Sequence, residues 1–180
     1  FLKKTGWIAT GLTVAAYGSY RAVRANMPAL PTFDAPKAQD GAAWVQALAD
    51  GRIQFFCPRM EMGQGAGLGL SQVVAEELNI DQSEIDYILP DTDQVTPFQM
   101  TVGSQSIAHF FDPVSWGAAQ LREALRRLAA EKSGLPVDRI KDGWAGFILP
   151  DGTVLGYGAL VLAAPVVVSD VQLLPDDALP

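Results

Sequence analysis

The chain has 180 residues, 49% of them hydrophobic and 18% charged, with a net charge of −7 and a pI near 4.6. That composition belongs to one globular domain, or a piece of a larger one, and excludes a disordered chain. It also argues against nucleic-acid binding, which needs clustered Lys and Arg to neutralise phosphates. The one such cluster, Arg122, Arg126 and Arg127, is interleaved with Glu123 and Glu131 at i,i+4 spacing, the pattern of a solvated, ion-paired helix face.

Residues 1–25 open with Phe1-Leu2-Lys3-Lys4, continue through a moderately apolar run to Tyr20, and close on Arg21 and Arg24. The start is similar to the tail of a twin-arginine export signal. The apolar core of about 14 residues is short against the roughly 20 of an ordinary span. A helix from Thr5 to Ala25 would still reach about 30 Å, with basic ends and with Trp7, Tyr17 and Tyr20 at interfacial positions. A retained membrane-anchor helix over 1–25 is therefore expected, placing the rest on the periplasmic side of a bacterial inner membrane. The alternative is a buried hydrophobic helix. Residues 26–41 hold Pro28, Pro31 and Pro36 and read as an extended linker.

The main domain is expected over 42–165, with 166–180 as an irregular tail. Residues 43–48 and 52–57 flank Asp50-Gly51, a strong hairpin signal. The lone Cys57 lies in the second of these strands and reads as a buried, inert thiol, since an iron–sulfur cluster needs several thiolates. A helix follows over 68–78 with Leu70, Val73, Val74 and Leu78 inward, then a strand over 85–89. Residues 91–105 are polar and irregular. A long helix is expected from Asp112 or Pro113 to Lys132, with Asp112 as N-cap, Val114, Ala118, Leu121, Leu125 and Leu128 as its stripe, and Gly134 and Pro136 ending it. A second hairpin, 146–149 with 153–155, turns at Asp151-Gly152, and a short helix follows near 157–163. The fold class is α+β: hairpins and a mixed sheet packed with two main helices.

Two segments carry chemistry. Glu61-Met62-Gly63-Gln64-Gly65-Ala66-Gly67-Leu68-Gly69 alternates glycines with other residues just before a helix, so its backbone can adopt φ > 0 and approach a ligand closely. The helix start behind it offers N–H groups to an anion. A dinucleotide fingerprint fails because Leu68 and Leu70 fall where its third glycine should stand, and no Gly-Lys-Ser/Thr follows for a phosphate-binding P-loop. The second segment, Thr101-Val102-Gly103-Ser104-Gln105-Ser106, supplies hydroxyls and amides ahead of the long helix. His109 has no cysteine or histidine nearby in sequence, which leaves a local zinc site little support.

In order and spacing, Met62-Gly63-Gln64-Gly65, the helix ending Ala75-Glu76-Glu77-Leu78, the strand, the Thr101–Ser106 segment and the long helix resemble the molybdenum hydroxylase (xanthine oxidase) family. The resemblance is closest to the molybdopterin-binding subunit of its membrane-bound aldehyde dehydrogenase and isoquinoline 1-oxidoreductase branch, and it covers nearly the whole chain. It implies that Gly63, Gln64 and Gly65 contact a molybdenum–molybdopterin cytosine dinucleotide near its metal end. It also implies that Thr101, Gly103, Ser104, Gln105 and Ser106 contact the pterin or phosphate portions. The family's Gly-x-Gly-Glu segment, with its base, and its Gly-Gly-x-Phe-Gly loop do not occur here. No catalytic residue and no metal ligand is therefore expected in this chain, and the cofactor would be shared with the remaining molybdopterin-binding chain. [2Fe-2S] clusters and c-type haem would lie on an iron–sulfur subunit and a cytochrome c subunit. The implied reaction is oxidative hydroxylation of an aldehyde to a carboxylic acid or, second, of an N-heterocycle. The rival is a non-catalytic anchor or assembly subunit in contact with membrane lipid.

Overall fold

A computed structural model describes residues 34–91, 93, 95, 98–161 and 165–167, together with helical positions 19, 21–23 and 25. The chain divides into two compact units, Phe1–Thr32 and Phe33–Pro180. Most of the expected anchor over 1–25 lies outside the described residues, as does most of the expected tail. Among the described residues, no helix is long and apolar enough to cross a membrane.

The second unit carries the fold. In place of a strand from residue 43, a 3-10 helix runs over Ala38–Trp44. Gly41 lets this turn sit directly on the long helix: a Cβ there would lie 1.7 Å from the Pro113 carbonyl oxygen. Trp44 closes the seam, stacked on Phe110 with ring centroids 5.9 Å apart and edge-on to Phe98 at 5.6 Å. The expected hairpin then forms: β1 (Val45–Ala47) pairs antiparallel with β2 (Ile53–Phe56), Val45 opposite Phe55. Gly51 takes φ +91° at the turn, and the Asp50 carboxylate accepts from the Arg52 N–H at 3.0 Å.

Helix α1 (Ala66–Leu78) buries Leu70, Val74 and Leu78 fully, at the spacing the sequence predicts. β3 (Ile85–Ile88) returns parallel to β2, and Arg52, just ahead of β2, donates to Asp86 of β3 through Nε at 2.8 Å. The long helix α2 spans Gln105–Ser133 and ends on Gly134 in the left-handed region. It starts seven residues before Asp112, so Asp112 is not its N-cap. Pro113 stands inside it, and the hydrogen bond that its missing N–H forfeits is offset by packing: Phe110, Pro113 and Val114 are all buried. The charged face of α2 is less solvated than expected. Arg122 reaches the Glu77 carbonyl at 2.6 Å, and Arg126 reaches Asp142 at 2.8 Å, fixing α1 and the following sheet.

That sheet has three strands where two are expected. β4 (Lys141–Gly143) joins β5 (Gly146–Ile148) and β6 (Val154–Gly156), all antiparallel. The exposed Lys141 and Asp142 give β4 no apolar alternation to read. Helix α3 is one turn, Tyr157–Leu160, and burial pushes the Tyr157 hydroxyl pKa up to about 12 while it donates to the Leu78 carbonyl. The tail is not wholly irregular: Val166–Val167 forms β7 against β1, completing a sheet of order β3-β2-β1-β7. This is the expected α+β class, a mixed sheet and a small antiparallel sheet packed on two main helices.

Candidate functional site

β2 ends at Phe56, and the chain turns through Cys57, Pro58 and Arg59 into the glycine loop that starts α1. Cys57 is fully buried and free, with its thiol pKa raised by burial. Gly63 and Gly65 take φ of +90° and +72°, and nothing stands within 4 Å of a Cβ built on either. The loop therefore has the geometry expected of it: backbone held in a shape that L side chains resist, facing open space.

The anion held by that loop is the chain's own. Glu61 folds back so that its carboxylate accepts from the N–H groups of Gly63 at 2.8 Å, Gly65 at 3.0 Å and Gly67 at 3.2 Å. Those bonds, Gly65 and Gly67 foremost, hold its pKa below the usual carboxylate range. The reading of free N–H groups awaiting an outside anion is thereby corrected at these three positions. A side chain two to six residues upstream satisfies the same dipoles more cheaply than a ligand can, because it is already tethered. An acid just ahead of alternating glycines is the sequence signal for this arrangement.

Gln64 is tied into the same loop. Its Oε1 accepts from the Met62 N–H at 2.6 Å and its Nε2 donates to the Met60 carbonyl at 2.7 Å. A primary amide has two N–H donors and two acceptor lone pairs, so one of each is left for a ligand.

The second segment meets the first. Gln64, Gly65, Ala66 and Gly69 face Thr101, Val102, Gly103, Ser104, Ser106 and Ile107 across an open cleft of about 510 Å³. Of the residues expected to form a site, Gln64, Gly65, Thr101, Gly103, Ser104 and Ser106 line it. Gly63 stands beside it in the loop, and Gln105, the first residue of α2, does not line it. Gly103 and Ser104 adopt φ of +63° and +57°, which turns the chain sharply into α2. A polar, oxygen-rich group suits this cleft: it would meet hydroxyls, spare amide groups and bare glycine backbone, with no cation on the lining.

Arg59 carries no signal in the sequence. It is 3% exposed, its guanidinium lies 4.7 Å from the Phe110 ring centre, and it donates to the Gln99 carbonyl and to Thr101 Oγ1, each at 2.6 Å. Its role depends on residues some forty positions away, which no local pattern reveals.

The Molybdopterin cofactor-binding domain family matches residues 3–167. The chain belongs to that family. Its relatives include a nicotinate dehydrogenase subunit of Pseudomonas putida, 29% identical over 69% of this chain and 10% of that protein. The beta subunit of isoquinoline 1-oxidoreductase from Brevundimonas diminuta is 33% identical over 54% and 13%. A membrane-bound aldehyde dehydrogenase (pyrroloquinoline-quinone) of Gluconacetobacter polyoxogenes is 27% identical over 89% and 21%. Among solved structures, the Cu,Mo-CO dehydrogenase in its carbon monoxide reduced state shares the fold at a TM-score of 0.57 and 19% identity, over 64% of this chain and 15% of that one. The chain thus spans between about a tenth and a fifth of the length of the relatives it matches.

Proposed function

We propose that this chain forms one wall of the molybdopterin cytosine dinucleotide site of a membrane-associated molybdenum dehydrogenase that oxidises aldehydes to carboxylic acids. One observation carries the reading: the glycine loop and the Thr101–Ser106 segment, far apart in sequence, share a single cleft. The chain's part is to bind and orient. Gln64 presents its remaining amide N–H and lone pair, Gly63 and Gly65 give close backbone approach, and the hydroxyls of Thr101, Ser104 and Ser106 take up acceptor oxygens. Gly103 sets the turn that presents them, and Gln105 follows at its edge. When bound, the cofactor supplies the redox chemistry, moving two electrons from the substrate and adding oxygen derived from water.

The base for that chemistry belongs to the remaining molybdopterin-binding polypeptide, and electrons leave through an iron–sulfur subunit and a cytochrome c subunit. Exposed Val102 and Ile107 on the cleft lining, with exposed Met62, Leu68 and Met100 in or next to the two segments that form it, support such a covering partner. The periplasmic side of the inner membrane, with residues 1–25 as anchor, is the location that suits this assembly.

Two named relatives act on nitrogen heterocycles by their names, which supports hydroxylation of an isoquinoline-type ring as the second reading. Purification of the intact complex, with molybdenum and pterin analysis and turnover of aldehydes against isoquinoline using an acceptor dye, separates the readings. Molybdenum and pterin with aldehyde turnover is the expected result. A complex whose only cofactor is a quinone, or one that keeps full metal and activity with Gln64→Ala, overturns the site.

A further inference from the structure

Arg59 makes an arrangement that folding alone does not require. A guanidinium is costly to bury, and among the described residues no carboxylate pairs with it. Among the described residues its Nε has no hydrogen-bond partner, and its two terminal nitrogens both go to the segment ahead of α2, one to the Gln99 carbonyl and one to Thr101 Oγ1. Phe110, the first fully buried residue of α2, holds the guanidinium plane from below. Arg59 itself stands in the turn that leads from β2 into the glycine loop. One rigid, forked side chain thus spans from the entrance of the first loop to the second.

The consequence falls on the Thr101 hydroxyl. A guanidinium can only donate, so Thr101 Oγ1 is an acceptor in that bond. Its own proton has no acceptor among the described residues, and Thr101 lines the cleft as well as a smaller cavity of about 280 Å³ that Arg59 and Gln99 border. We infer that Arg59 is a positioning residue that commits the Thr101 hydroxyl to donating into the cleft, toward an acceptor oxygen of the cofactor's phosphate or pterin. The inference rests on the proposed cofactor site and adds a direction to it. The cationic partner behind the hydroxyl strengthens its proton as a donor, so positive charge reaches the cleft without a cation on its surface.

The test uses the intact complex with Thr101→Val, Thr101→Ser, Arg59→Met and the Thr101→Val/Arg59→Met pair. Molybdenum and acid-released pterin retained after timed dialysis are the readouts, with thermal melting alongside. Thr101→Val should lose molybdenum about tenfold faster than the native complex, the change carried by one hydrogen bond to a charged group. Thr101→Ser should restore retention, Arg59→Met should match Thr101→Val, and the pair should lose metal no faster than either alone. If Arg59→Met does not assemble, Arg59→Lys, which keeps the charge and loses the fork, is read in its place. Additive losses in the pair, or native retention in the Arg59 variant while Thr101→Val leaks metal, overturn the inference and leave the site standing. Native retention in both Thr101→Val and Gln64→Ala overturns the cofactor site itself, and the inference with it.

Discussion

Glycine does opposite work at two places in this fold. At the seam between the 3-10 helix and α2, backbones touch: an added Cβ would lie 1.7 Å from a backbone oxygen at Gly41 and 2.3 Å from one at Gly117. At the cleft, Gly63 and Gly65 face nothing within 4 Å and stand at positive φ. The seam glycines are fixed by what is already there. The cleft glycines are fixed by their conformation and by room left over, which is how a binding surface differs from a core contact.

Substitution separates the two uses, and the seam should fail first. Gly117→Ala and Gly41→Ala must push two backbones apart, costing about 3 kcal/mol or more, read by urea unfolding. If either variant melts like the native protein, the helices are not in backbone contact. Gly65→Ala comes next: a methyl meets no atom, so the cost is the strain of a left-handed residue, about 1–2 kcal/mol. Its larger effect should be on molybdenum content of the complex.

Glu61→Gln tests the internal anion of the loop. The native carboxylate has a folded-state pKa below its unfolded value of about 4.3. Its contribution to stability is therefore present above that value and lost as pH falls through the lower folded one. The variant should melt below the native protein at neutral pH, and the two melting curves should converge in acid. A constant gap at every pH would show that the carboxylate is not the group that matters. Gln64→Ala should have the smallest effect on melting, since it removes two exposed hydrogen bonds. Its cost should appear almost wholly as lost metal and turnover.

The same contrast explains what was legible in the sequence. Local periodicity found α1, the two hairpins and β3, because Leu70, Val74 and Leu78 repeat on one face and Asp50-Gly51 and Asp151-Gly152 mark turns. Both halves of the cleft stood out for the same reason: alternating glycines and a hydroxyl-rich run are local patterns. What escaped was set by distant partners. The beginning of α2 was hidden because Pro113 is a good first residue of a helix, and only its burial against Gly41 shows why it is tolerated inside one. Arg59 had no signal at all, since Gln99, Thr101 and Phe110 give it meaning only in three dimensions. β4 and β7 are three and two residues long, with little alternation to betray them.

Pro113 has one more consequence, in the time domain. By withholding an N–H from the His109 carbonyl, it removes a rung between the first eight residues of α2 and the twenty that follow. The first portion holds Gln105 and Ser106 beside the cleft, exposes Ile107, Ala108, Phe111 and Asp112, and is tacked to the core chiefly by Phe110. The second is packed along its length, with Val114, Ala118, Leu121 and Leu125 fully enclosed. Such a helix has two opening free energies instead of one. Amide hydrogens before the proline should exchange by local opening while those after it wait for global unfolding, so the wall of the cleft can open without the scaffold taking part.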